Sequence, residues 1–168
     1  ALQAEPELSK LLSSGYGEAS VFWIDEASGV YCKARPDWTH PTGPNSVVLL
    51  DLKAVADDSP EGFRRSCARL GYHRQRAQYV KGFERATGLR VEDFVFAAVS
   101  SVPPVLAVPY RMVDEVVQQG EDEVAELLEL YAECKRTNAW PAYSPAERII
   151  DFPAWAKRTQ EIEVSYAD

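Results

Sequence analysis

Hydrophobic and polar positions change period several times along this chain, and each change marks an element. Val21 to Asp25 and Val30 to Arg35 are short apolar-rich runs joined by the turn residues Glu26 to Gly29, which predicts a hairpin. His40 to Asn45 is crowded with breakers and is expected to be a loop. Ser46 to Lys53 carries the unbroken apolar run Val47 to Leu50, typical of a strand covered on both faces. A helix should start with Ser59 as N-cap and Pro60 in the first turn, pause at Gly71, run on to Thr87 and end at Gly88. Asp93 to Ser100 predicts a second buried strand, and Val105 to Val108, between prolines, an edge strand. Met112 to Asn138 predicts a long helix with a candidate break at Gly120. Upstream, Glu7 to Leu12 is a helical stub before the glycine-rich Gly15 to Gly17. Residues 139–168, with Pro141, Pro145 and Pro153, are expected to be mostly irregular, with Trp140 and Trp155 packed on the core. The order of elements predicts an α/β (α+β) fold, a mixed central sheet flanked by helices, in a single domain over residues 1–168.

Composition narrows the chemistry. The chain has no run of eighteen apolar residues and no signal-peptide pattern, so nothing in it suggests a membrane or secretion. Cys32, Cys67 and Cys134 are widely spaced and form no CxxC pair, which points to a reducing cytoplasm and away from zinc or iron–sulfur sites. With only His40 and His73, the chain points away from a histidine-rich metal site and toward oxygen ligands, suited to Mg²⁺ with Mn²⁺ as a substitute.

The net charge of −8 looks wrong for a partner of nucleic acid, so its distribution matters more than its sum. Between Pro60 and Arg90 eight basic residues face two acids, a local +6. Val113 to Cys134 holds eight acids and no Lys or Arg. Arg69, Arg74, Arg76 and Lys81 on the basic helix are candidates to follow phosphates, and the acidic helix is expected to face solvent. Two solvated helix faces are the alternative.

The densest chemical signal is Pro36-Asp37, thirteen residues, then Asp51-Leu52-Lys53 at the end of the apolar strand. Asp51 and Lys53, two apart on a strand, share a face. Two carboxylates that hold a divalent cation, with a lysine beside them, suit phosphodiester hydrolysis. This spacing is the PD-(D/E)xK signature of metal-dependent nucleases. From these residues alone, Asp37 as a turn cap and Asp51 with Lys53 as a surface ion pair remains open. Glu18, just before the first strand, offers a third acid. Gln75 and Tyr79, four apart on the basic helix, project together, with Tyr72 on the same stripe. Gln can hold water or a phosphate oxygen and Tyr can donate to phosphate; a tyrosine simply packed in the core is the alternative.

Ser20 to Trp38, Leu50 to Asp57 and Tyr72 to Tyr79 resemble the RecE-type exonuclease VIII nucleases, a phage-derived group of the PD-(D/E)xK superfamily beside lambda-type exonuclease. The resemblance covers Gly17 to Ser101 well and continues more loosely to Trp155. It implies 5′→3′ degradation of one strand from the ends of linear double-stranded DNA, leaving 3′ overhangs for a single-strand annealing protein. It also implies a ring-like homo-oligomer, trimer or tetramer, in a bacterial or phage-encoded cytoplasmic setting. Carried onto this sequence, Asp37, Asp51 and the Leu52 carbonyl would be metal ligands and Lys53 the catalytic lysine. Glu18 would be the early acid, and Gln75 with Tyr79 the family QxxxY. Family members have a longer helical region upstream with a histidine able to reach the metal, so the chain is expected to lack an N-terminal segment. An endonuclease on the same core, or a non-catalytic DNA-binding or assembly domain, would share the fold.

Overall fold

A computed structural model describes residues 1–142. After a 3₁₀ turn at Leu2–Ala4, the chain forms α1 (Pro6–Leu12), β1 (Tyr16–Gly17), β2 (Val21–Ile24), β3 (Tyr31–Ala34), β4 (Trp38–Gly43) and β5 (Ser46–Val55). Then follow α2 (Pro60–Leu70), α3 (Tyr72–Thr87), β6 (Arg90–Ser100), β7 (Ala107–Tyr110) and α4 (Asp114–Thr137). Five strands make one mixed sheet in the order β1-β4-β5-β6-β7; β5 and β6 are parallel and the other pairs antiparallel. The α+β architecture expected from the sequence is the one observed.

The unbroken apolar run in β5 is explained by burial on both faces. Val47 and Leu49 point to one side, where they meet Phe94 and Phe96 of β6, Phe63 of α2 and Phe83 of α3. Val48 and Leu50 point to the other, where Leu8 and Leu11 of α1 cover them together with Val95 and Ala97. α1 is further tied down by Trp38, whose indole donates to the Leu11 carbonyl at 3.1 Å. Burying one such aliphatic or aromatic side chain contributes about 1.5–3 kcal/mol, so each strand residue of this run holds the site in place.

β2 and β3 form the expected hairpin, but as a two-stranded sheet of its own packed on α3. Ser59 caps α2 by accepting from Gly62 N–H at 3.1 Å, and Gly71, with φ +68°, separates α2 from α3 as expected. The edge strand near Val105 is shifted to Ala107–Tyr110, and the buried strand expected from Asp93 begins earlier, at Arg90.

Four expectations are corrected. The breaker-rich stretch from His40 is largely strand: β4 continues to Gly43, pairing Pro41 with Val47 before the short turn into β5. β1 reaches only Trp38 and Thr39, so Pro41 lies where β4 is an edge and its missing N–H costs no ladder bond. Gly120 does not break α4; a Cβ there would sit 2.4 Å from the His73 carbonyl, so the glycine permits close helix packing. The acidic helix does not simply face solvent: Glu123 accepts from His73 Nε2 at 2.9 Å, and Glu121 and Glu123 lie 3.9 and 3.6 Å from Arg76 and Arg74. Trp140 is 54% exposed and meets Tyr131 edge-on rather than the core. Trp155 lies outside the described residues.

Candidate active site

The site forms where the sheet opens. β4 pairs with β5 only as far as Trp38 opposite Leu50, so the β4-side edge of β5 beyond Leu50 has no strand partner. The Asp37 carboxylate fills that place: its Oδ2 accepts from Leu52 N–H at 2.7 Å. The N–H and C=O of one strand residue point to the same edge, so the Leu52 carbonyl is directed to the side on which Asp37 stands.

Asp51, one residue earlier, turns its side chain to the opposite polarity of the pleat, toward α2 and α3. It is 2% exposed. Gln75 Nε2 donates to its Oδ1 at 2.6 Å, and the Gln75 carbonyl oxygen accepts from Lys53 Nζ at 2.8 Å. Lys53 also touches Asp51 Oδ2, but that buried oxygen has no hydrogen bond of normal geometry. The lysine's ammonium sits 4.5 Å from the centre of the Tyr72 ring, and Phe96 lies behind it at 6.0 Å. Asp51, Lys53 and Gln75 therefore form a closed triangle on an aromatic floor.

Burial sets the electrostatics. The Asp51 carboxyl is raised above the usual carboxylate range, first by desolvation. Lys53 and Gln75 oppose that rise, and the negative charge of Asp37 adds to it. Cys67, near Lys53, is pushed up to about 11 by burial and is a neutral thiol at pH 7.

The donor set fits a hard divalent cation. Two carboxylates repel across the site, one buried Asp51 oxygen meets only the Lys53 ammonium, and a backbone carbonyl is directed to the same opening. Mg²⁺ takes one or two carboxylates and keeps several waters, so it needs no larger cluster. Among the described residues no three His, Cys, Asp or Glu side chains stand together at metal-ligand spacing. Glu18 accounts for this. Its N–H donates to the Asp37 carbonyl at 3.2 Å, but its side chain is exposed and lies 3.6 Å from Arg35.

The remaining sequence candidates divide. Tyr79 is half-buried and meets Phe94 edge-on at 6.4 Å, one turn beyond Gln75. Arg74 and Arg76 stand against acids of α4, and Lys81 donates to Asp25 at 2.6 Å. Arg69 has no ion-pair partner among the described residues and lines a cleft with Arg65 and Tyr72. Tyr72 is the residue of this site to which the sequence assigned no role. Its signal was its place on the Gln75 stripe, three residues earlier.

Comparison with known proteins supplies a family and a fold. Residues 1–150 match the family model described as "PDDEXK-like domain of unknown function (DUF3799)". No curated protein matches the sequence. Among solved structures, one titled "Putative exonuclease" from Eubacterium rectale superposes with a TM-score of 0.61 at 17% identity. The match covers 90% of this chain and 59% of that one, so the chain spans about three fifths of its relative's length. A second, SSO0001, has a TM-score of 0.41 at 15% identity, covering 72% of this chain and 56% of that chain, and carries no weight here. The likeness to the first is one of fold. The family model covers most of the chain and its name describes the Pro36-Asp37 and Asp51-Leu52-Lys53 pattern around which this site is built, so the chain belongs to the PDDEXK-like family.

Proposed function

We propose that the protein is a metal-dependent deoxyribonuclease, acting 5′→3′ from the ends of linear double-stranded DNA and leaving 3′ single-stranded overhangs. The observation that carries the hydrolytic reading is the buried triangle of Asp51, Lys53 and Gln75 beside Asp37. A buried carboxylate raised by desolvation and by a second carboxylate is costly unless a cation compensates it. Asp37, Asp51 and the Leu52 carbonyl would hold Mg²⁺, with Mn²⁺ as a substitute. When bound, the cation would neutralise phosphate charge and lower the pKa of an attacking water.

The chain's own groups supply the rest. Lys53, held by Gln75 and Tyr72, places one positive charge where the pentacovalent phosphate gains negative charge. Gln75 keeps the Asp51 carboxylate and the Lys53 ammonium in register, with one amide contact to each. For Glu18 to join as a third acid, its exposed pair with Arg35 must open, which costs about 0–1 kcal/mol for such a surface contact. Arg69, with Arg65 across the neighbouring cleft, is the best placed of the basic residues to meet phosphate. The exonuclease polarity, the overhang, a ring-like oligomer and an annealing partner rest on the resemblance to RecE-type nucleases.

The test is degradation of linear against covalently closed circular duplex DNA with Mg²⁺. Loss of the linear form alone supports the exonuclease. Cutting of both would favour an endonuclease on the same core, and cleavage of neither would contradict the hydrolytic reading.

A further inference from the structure

A second cleft opens onto Gln75 from the far side of α3. α3 packs against both the β2–β3 hairpin and α4, so the hairpin forms one wall, α4 the other and α3 the floor. Tyr31 and Lys33 line the hairpin wall, Arg74, Gln75 and Gln78 the floor, and Tyr131 with three aliphatic side chains the α4 wall. At about 510 Å³ it lies within the range that holds small-molecule-sized groups such as a nucleotide.

Two properties separate this cleft from an ordinary apolar dent. In a chain of net charge −8, none of its lining residues among those described is a carboxylate, and Lys33 has no ion-pair partner among the described residues, while Arg74 stands 3.6 Å from Glu123 of α4. The acids of α4 nearest to it are turned to α3, with Glu123 held by His73 and lying near Arg74. Its aromatic surface is also displayed rather than buried. Tyr31 is 78% exposed, and on the same outer face of the hairpin Ile24, its cross-strand partner, and Phe22, opposite Lys33, are exposed as well. An aromatic ring held open on a strand, beside a lysine and with no carboxylate among the described lining residues, is a stacking surface for a base whose phosphate the cation can meet.

The cleft shares Gln75 with the triangle of Asp51 and Lys53. We infer that it holds the unpaired nucleotides of a single strand next to the phosphate being cut. Bases stack on Tyr31 and Tyr131, and Lys33 faces the backbone. This inference rests on the nuclease reading of the site, and it adds a route for the strand that the motif residues do not supply. A second copy of this acidic chain would also find cations here, but it would have no reason to reach Gln75.

Binding of a fluorescent oligothymidylate, with EDTA present so that nothing is cut, tests it on the full chain. Tyr31 is mostly in solvent, so Tyr31→Ala should fold normally. It should bind the single strand about five- to tenfold more weakly, while Tyr31→Phe, which keeps the ring, binds as the wild type does. Lys33→Gln should reduce the salt dependence by about one counterion. Undiminished binding by Tyr31→Ala, or no single-strand binding by the wild type, overturns the inference. So does a loss in Tyr31→Ala accompanied by a changed oligomeric state in sedimentation, which would make the cleft a subunit contact. Asp51→Asn separates the two readings: it should stop cleavage and leave strand binding intact. Cleavage by Asp51→Asn would remove Asp51 from the cleavage site, and no cleavage by the wild type with Mg²⁺ would sink the nuclease reading alone.

Discussion

Two aspartate–lysine pairs in this molecule look alike and are opposite in character. Asp25, at the start of the hairpin turn, and Asp51, at the end of the central strand, are both almost fully buried, and each touches one lysine. Asp25 is fully served. It accepts from Ser28 N–H at 3.0 Å, from Ser28 Oγ at 2.8 Å and from Lys81 at 2.6 Å. Its carboxyl is held down at about 2, first by the Lys81 hydrogen bond. Lys81 itself is 56% exposed and stays hydrated. Asp51 instead has a lysine buried with it, a second carboxylate that repels it, one oxygen whose only partner is that lysine, and a carboxyl raised by desolvation. One pair fastens the hairpin to α3; the other is short of positive charge. A buried acid that the fold leaves under-compensated is where a cation or a reacting group is expected to complete it.

The contrast can be broken by substitution. Lys53→Ala should remove cleavage most severely short of losing Asp51, by about a hundredfold to a thousandfold, as expected for the loss of one donor aimed at developing charge. Single-turnover cleavage of linear duplex checks this, and an unchanged rate would return the pair to a structural role. Gln75→Ala should cost less, about tenfold, because both partners remain and only their shared amide is lost. Asp25→Asn should leave the cleavage rate of folded protein unchanged and destabilise it by about 1–2 kcal/mol, a range discounted because Lys81 is half in solvent. The sign follows from its lowered carboxyl. Its stabilisation is fully present above the ordinary carboxylate range and is lost as pH falls toward 2. Asp51 acts in reverse. In metal-free protein its raised carboxyl lowers stability as pH rises through and above the ordinary range. The gap between denaturant melts of wild type and Asp25→Asn should therefore be smaller near pH 3 than at pH 7 and close as pH falls toward 2.

The sequence made the two central strands legible because their apolar runs are long and both faces are buried. It made Asp37, Asp51 and Lys53 legible because their spacing follows from adjacent strands of one sheet. Pairing alone could not be seen. β4 hid behind Pro41 and Gly43, tolerated because its outer edge is open past Thr39. The neutralisation of Arg74 and Arg76 was hidden for a similar reason. A basic and an acidic helix fifty residues apart read as two separate surfaces until Gly120 brings α4 against His73. Tyr72 shared the Gln75 stripe, but its place under Lys53 needed the third dimension, since the stripe alone does not say that it faces β5.

Under the proposed function, Asp51 is an under-compensated carboxylate that a divalent cation completes for phosphodiester hydrolysis. The most direct measurement compares wild type with Asp51→Asn across a Mg²⁺ titration, following both the melting temperature and the cleavage of linear duplex DNA. The wild type should gain stability with Mg²⁺ and cleave in proportion to its saturation, a gain of about 2.7 kcal/mol at a hundred times the dissociation constant. Asp51→Asn should do neither while keeping its fold. Mg²⁺-dependent cleavage by Asp51→Asn, or a wild type whose melting temperature ignores Mg²⁺, would contradict the account.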